Sequence, residues 1–311
     1  MKEDFIGHQD IINNFYNRVD KGSLSHAHLI VGENGIGKSE VAKLFALKIL
    51  NKSENKDYID IINYRAKKTS IGVDDVRSII EEVNKKPFEG DKKVIIIHDG
   101  NKLTVQAQNA LLKTIEEPPN GVYIILLCES IETILETIRS RCQIYKLTPL
   151  SKEELTQYII KNLNETNKEK LYAAISFSEG IPGKAELLLT NEHLNKLRSI
   201  LMELFKNIGS LSAARLLEYE NQLAAYKDDR EEILKILVSY IRDIMVFKEL
   251  NDINHITNRD KIESIKDIAI NISFIKLEKL LTKIQGTREY LNSNSNYTIA
   301  MRTLLMVFME V

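Results

Sequence analysis

Apolar positions change their period along the chain. "AHLIVG", beginning at Ala27, is a continuous apolar run closed by a glycine. "SEVAKLFALKILN" then repeats apolar residues at i, i+3, i+4 and i+7, which predicts a helix. "YIDIINY" reads as a second strand, and "GVDDVRSIIEEVNKK" as a helix with Asp74 as its N-cap. "KVIIIHD" and "GVYIILLCE" are two further apolar β-runs, separated by the helical "TVQAQNALLKTIEE". Continuous apolar strands alternating with helices predict an α/β fold: a parallel sheet with helices on both faces.

The pattern shifts at "KLTPLSKEEL". Pro149 is expected to end the last strand, and Ser151-x-x-Glu154 is a capping-box signature that opens a helix. Helices are expected from there to about Thr190. Beyond Pro182 no proline occurs, and the only glycines are Gly183, Gly209 and Gly286. Segments such as "EEILKILVSYIRDIMVFKEL" keep helical spacing, so the C-terminal part is expected to be all-α. The resulting division is 1–149, a small helical unit 150–190, and a helical domain 191–311. No internal repeat or low-complexity segment interrupts it.

Composition adds limits. A chain of 311 residues suits two or three domains, and 43% hydrophobic with 28% charged residues is an ordinary globular balance. A formal net charge of −1 does not suit a chain that holds nucleic acid mainly by its own surface. The lysine pairs Lys67-Lys68, Lys85-Lys86 and Lys92-Lys93 are expected on solvated surface. Cys128 and Cys142 form no Cys-x-x-Cys pair, so a thiolate zinc site is not expected. Two unpaired cysteines and no signal-peptide pattern fit a reducing cytoplasm. The apolar runs are too short to span a bilayer, so no membrane partner is expected.

The richest chemistry lies at Gly32-Glu-Asn-Gly35-Ile-Gly37-Lys38-Ser39, which matches G-x-x-x-x-G-K-[ST]. Its glycines allow backbone amides to turn toward phosphate oxygens, and the following helix aims its N-terminal dipole at the same anion. Lys38 is expected to reach the outer phosphates of ATP or ADP, and the Ser39 hydroxyl to ligate Mg2+. The competing reading is an inherited loop that keeps its turn but no longer holds nucleotide. A hydrolytic site also needs a carboxylate at the end of a second strand to hold the magnesium shell. That position is His98, followed by Asp99. Imidazole suits magnesium poorly. The reading is binding without efficient turnover, with His98 a hydrogen-bonded histidine at a strand end rather than a catalytic group.

"NALLKTIEEPP" and "RSRCQIYKL", with "FIGHQDI", "SHAHLIVGENGIGKS", "KPFEGDKKVIII", "SEGIPGKA" and "LNSNSNYTIAMRTLLMVF", resemble the AAA+ clamp-loader family over nearly the whole chain. The resemblance is strongest to the delta-prime branch of bacterial DNA polymerase III. It implies an AAA+ nucleotide-binding domain, a helical lid and a helical collar that joins subunits into a ring. It also implies motor subunits (gamma/tau) and a delta subunit as partners, with the sliding clamp and primed DNA reached through the complex. Motor subunits of the family end the acidic strand in Asp-Glu and carry a lid arginine in Gly-Ser-x-Arg. Here His98-Asp99 and Gly180-Ile-Pro-Gly183-Lys184-Ala185 stand instead, with Gly183 where that arginine belongs. Cys128-Glu129 replace the polar residue expected at the end of the fourth strand. Many relatives carry a cysteine zinc module after the first helix of the loop; "NKSENKDY" stands there, so no zinc is expected.

By the same resemblance, Arg141 in Ser140-Arg141-Cys142 is an arginine finger for the ATP site of a neighbouring motor subunit. A guanidinium is permanently charged and offers paired donors to phosphate oxygens. The plainer alternative is a surface arginine in a salt bridge. Arg139 is the rival; on an extended segment it would point the same way as Arg141. Two other functions stay open at this stage: an active clamp-loader motor ATPase, and another AAA+ DNA-processing factor such as a branch-migration ATPase.

Overall fold

The computed structural model describes residues 5–293 and 296–310. The ends of the outer expected domains (1–4 and 311), and Asn294 and Ser295 of the closing motif, lie outside the described residues.

The chain opens with α1, Gln9–Asp20, and β1, Ala27–Val31. The glycine loop then leads into α2, Lys38–Ile49. Next come β2, Ile61–Tyr64, α3, Val73–Asn84, β3, Lys93–Ile97, and α4, Val105–Glu116. β4, Val122–Cys128, the short α5, Glu136–Arg139, and β5, Gln143–Lys146, complete the sheet region. The five strands are ordered β2-β3-β4-β1-β5, and all neighbours are parallel.

The unbroken apolar strands follow from burial on both faces. Leu29 and Val31 of β1 face a core with Val76, Ile79 and Leu111 from α3 and α4. Ile30, between them, faces the opposite core with Phe15, Val41 and Phe45 from α1 and α2. Leu29 and Ile30 are fully buried, each contributing about 1.5–3 kcal/mol by leaving water. Parallel strands also put every strand's C-terminal end on one edge of the sheet, where the glycine loop lies.

Three local expectations are corrected. Asp74 does not cap α3. The N-cap is Gly72, whose N–H donates to the Asp75 carboxylate at 2.9 Å, while Asp74 pairs with Arg77 on the surface. Lys93 is not solvated: it is 3% exposed, and its ammonium donates to the carbonyls of Glu82 and Lys85 at the C-terminal end of α3. Pro149 does not terminate β5, which already ends at Lys146.

The helical part begins with α6, Lys152–Leu163, opened by the expected capping box. Glu154 N–H donates to Ser151 Oγ (3.1 Å) and Ser151 N–H to the Glu154 carboxylate (2.8 Å). α7, Lys168–Ser178, α8, Pro182–Thr190, α9, Glu192–Lys206, and α10, Ala213–Ala224, follow. α11, Arg230–Leu250, α12, Ile262–Asn271, α13, Phe274–Asn292, and α14, Tyr297–Glu310, complete the chain. Asn167, Asn191, Ser212 and Ser273 cap α7, α9, α10 and α13 with side-chain oxygens, which is why polar residues punctuate a region with few glycines or prolines. Among the described residues no helix is long and apolar enough to cross a membrane.

The chain divides into two compact units. One runs to Tyr158 and includes Gly180–Gly183; the other comprises Ile159–Glu179 and the residues from Lys184 onward. The segment expected as a separate helical unit, 150–190, is thus shared between them. In the second unit Leu201, Phe205, Leu237, Tyr240 and Phe308 form one buried cluster. Its buried cation, Arg198, pairs with both Asp260 oxygens at 2.9 Å and with Asn258 at 3.0 Å.

Candidate nucleotide site and arginine finger

The glycine loop leaves β1 with Gly32 N–H donating to Cys128 O of the adjacent β4. Gly35 and Gly37 have φ of 83° and 106°, left-handed values that a side chain would resist. They carry the backbone round to α2, whose first residue is Lys38. The Lys38 ammonium is folded onto its own loop, donating to Gly32 O at 2.6 Å and Glu33 O at 2.9 Å. Burial lowers its pKa; the exposed Glu129, at the end of β4, is the strongest charge opposing that shift. The sequence-predicted residues Gly32, Gly35, Gly37, Lys38 and Ser39 therefore form one loop–helix junction.

Two contacts on this loop escaped the sequence reading. His8, at φ 54°, caps the start of α1 and sets its Nε2 3.3 Å from Ile36 O. The Gly7-His8 pair in "FIGHQDI" was the available signal, since consecutive left-handed residues mark a built turn. Gly183 N–H donates to Gly35 O at 2.9 Å, so the start of α8 sits backbone-to-backbone on the loop. A Cβ on Gly183 would stand 2.7 Å from Gly35 Cα. Glycine here is required for close approach.

The degenerate acidic pair is also engaged. His98, 4% exposed, places Nε2 2.9 Å from Asn63 Oδ1 of β2 and Nδ1 3.3 Å from Ser39 Oγ. Burial, and then the charge of Arg65, push its pKa down to about 4, with Asp99 opposing. Asp99 takes a left-handed conformation that turns its carboxylate to Ala66 N–H (3.3 Å) and the Lys102 ammonium (3.2 Å). The fold family implies Mg2+ at Ser39, but this donor set does not suit it. A neutral imidazole stands where the ion's shell needs a carboxylate, and the one acidic side chain of the pair is committed elsewhere. Among the described residues no three His, Cys, Asp or Glu side chains converge as a metal site.

Arg141 lies elsewhere. It follows α5, with its N–H donating to Ile138 O, and its guanidinium is paired with Glu116 at the end of α4 (2.5 Å) and with Thr137 O (2.9 Å). The side chain is 41% exposed. Arg139 does not run beside it. Arg139 ends α5 and Ser140 remains helical, so the two arginines are two positions apart on a helical turn and diverge. Arg139 Nε is buried and has no hydrogen-bond partner.

Strand register sets the distance between finger and loop. Gln143 is level with His28, and Lys146 with Val31, the residue before the loop. Arg141 therefore lies before the N-terminal end of β5, and Gly32 lies four residues beyond the level of Gln143. At about 3.3 Å per residue the strand part alone, from Gln143 to the level of Gly32, is roughly 13 Å, more than an arginine side chain spans. Arg141 and the chain's own glycine loop are at opposite ends of the sheet.

Known proteins resemble the chain in sequence and in fold. The family described as "DNA polymerase III, delta subunit" matches residues 7–151, and its companion "DNA polymerase III, delta subunit, C terminal" matches 192–310. DNA polymerase III subunit delta' of Bacillus subtilis is 24% identical over 95% of this chain and 94% of its own length. DNA polymerase III subunit gamma of Buchnera aphidicola is 26% identical over 97% of this chain and 93% of its own. A DNA polymerase III gamma-subunit-related protein of Thermotoga maritima shares the fold, at TM-score 0.55 and 18% identity, over 96% of this chain and 98% of that one. With matches in both units, the chain belongs to the family described as "DNA polymerase III, delta subunit", and its likeness to delta' runs nearly end to end.

Proposed function

We propose that the chain is a ring member of the replicative clamp loader that does not power the ring itself but supplies Arg141 to the ATP site of a neighbouring motor subunit. The observation that carries this reading is that Arg141 precedes the N-terminal end of β5 while the chain's own phosphate loop follows the C-terminal end of the parallel β1, at the opposite edge of the sheet. An arginine so placed cannot reach a phosphate held by its own loop, which supports a role toward another molecule's phosphate. The exposed guanidinium rests on Glu116 and is available for exchange, because a half-exposed ion pair holds by about 1 kcal/mol or less. At a neighbour's γ-phosphate it would meet the charge that builds up during transfer.

Similarity to a gamma subunit raises the rival reading of a motor ATPase. His98, the turned-away Asp99 and the Gly183–Gly35 contact all weigh against efficient hydrolysis at this loop. The loop itself retains the turn and cations to hold ATP or ADP. The partners proposed are gamma/tau motor subunits and the delta subunit in the cytoplasm, with the sliding clamp and primed DNA reached through the assembly. The three-part division 1–149, 150–190 and 191–311 is part of the proposal, supported by family matches that stop at 151 and resume at 192. The test is reconstitution of the loader with Arg141→Ala and with Lys38→Ala. Arg141→Ala should impair loading and ATP turnover, whereas Lys38→Ala should impair neither strongly. Loss of most turnover with Lys38→Ala alone would make this chain the motor.

A further inference from the structure

Ser39, His98 and Asn63 form a continuous chain across the side of the phosphate site. His98 Nδ1 lies 3.3 Å from Ser39 Oγ, and Nε2 lies 2.9 Å from Asn63 Oδ1. Asn63 Oδ1 is an acceptor, so the facing Nε2 carries the proton and Nδ1 is left as an acceptor. The Ser39 hydroxyl then donates to Nδ1. That arrangement fixes the serine's proton toward the histidine. The ring is held at both nitrogens and almost wholly buried, so it has little freedom to swing aside.

A hydroxyl that donates its proton to Nδ1 keeps both oxygen lone pairs, so what this site lacks for magnesium is the anionic carboxylate that would hold the ion's shell. Here nitrogen stands on the carboxylate side. The cleft beside Ser39, about 400 Å³, is lined by Lys43, Lys56, Arg65, Asn63 and His98 as well as by Glu40 and Asp57. Arg65 is close enough for its charge to act on His98. Basic side chains thus line the cleft beside Ser39, Lys43 paired there with Asp57, and Lys38 stands on the loop for the phosphates.

We propose that this phosphate loop takes a nucleoside diphosphate or triphosphate without a divalent metal, and that His98, held between Asn63 and Ser39, is the residue that sets this. The inference rests on the reading that the loop binds nucleotide. It accounts for the pairing of an intact glycine loop with a lost acidic pair: metal-free nucleotide is bound as a structural ligand and lacks the means of hydrolysis.

The experiment is fluorescence titration of the full chain with mant-ADP, in saturating magnesium chloride and in excess EDTA, for wild type, Lys38→Ala and His98→Asp. Wild-type affinity should differ by less than about threefold between the two conditions, and Lys38→Ala should remove the binding. His98→Asp should acquire a magnesium dependence on the order of tenfold or more. Wild-type affinity that falls tenfold or more in EDTA overturns the inference and leaves nucleotide binding standing. Metal-independent binding by His98→Asp removes His98 as the determinant. If no Lys38-dependent binding occurs in either condition, both the inference and the nucleotide-binding reading fall.

Discussion

Replacing Gly183 by alanine tests whether the start of α8 is closed onto the phosphate loop. The new Cβ would meet Gly35 Cα at 2.7 Å and Gly35 O at 3.1 Å, both backbone atoms that cannot rotate away. Ordinary contact begins at 3.4 Å. The two backbones must then part by roughly 0.7 Å, which takes the Gly183–Gly35 hydrogen bond from 2.9 Å to about 3.6 Å, outside bonding range. Overpacking of this kind costs about 1–3 kcal/mol, and a lost hydrogen bond about 1 more. The expected penalty is about 2–4 kcal/mol, or a fall of about 4–16 °C in the thermal midpoint of the first unit. Thermal unfolding by circular dichroism measures the midpoint, and amide exchange in residues 32–39 measures the local opening. A midpoint within about 1 °C of wild type, with unchanged exchange in the loop, would refute the close-contact reasoning. The same geometry predicts that Gly183→Arg does not restore a motor's lid arginine, since its Cβ meets the same atoms.

Other consequences concern buried groups. His98 and His28 both have pKa values lowered to about 4, chiefly by burial, so the unfolded chain binds more protons between about pH 4 and 6.5. Their contribution to stability is present above about pH 6.5 and is lost as pH falls through about 4; a His98 ring titration midpoint near 6.5 by NMR would contradict it. Burial pushes the thiols of Cys128 and Cys142 up to about 11 and about 12, so both should resist DTNB in the native chain at neutral pH and react after denaturation. Asp60, 3% exposed, accepts the N–H groups of Phe88 (2.7 Å) and Glu89 (2.8 Å); Asp60→Ala should destabilise the first unit by about 2–4 kcal/mol in urea unfolding.

Period found β1 to β4 and the helices α2, α3 and α4 between them, because a buried parallel strand and an amphipathic helix write different patterns; α1 and α5 were not read from it. The glycine loop was legible for a similar reason: its spacing is dictated by backbone geometry. What escaped was set by tertiary partners. Asp74 and Asp75 are equal candidates in sequence, and only the helix start at Val73 assigns the cap to Gly72 and the box to Asp75. Lys93 looked solvated until the end of α3 supplied carbonyls for its ammonium. Asn63 lies 35 residues from His98, and nothing local joins them. Arg139 and Arg141 looked parallel only on the assumption of an extended segment, and α5 turns that segment into helix.

The most direct test of the central claim is ATP turnover and clamp loading by a reconstituted complex containing Arg141→Ala. Removing an arginine finger lowers turnover at the site it serves by about 10³–10⁵-fold. The expected result is a complex that assembles normally, loses the share of DNA-stimulated hydrolysis belonging to one neighbouring site, and loads clamps poorly. The matched Lys38→Ala complex should keep nearly all of both. Normal loading and hydrolysis with Arg141→Ala would contradict the account.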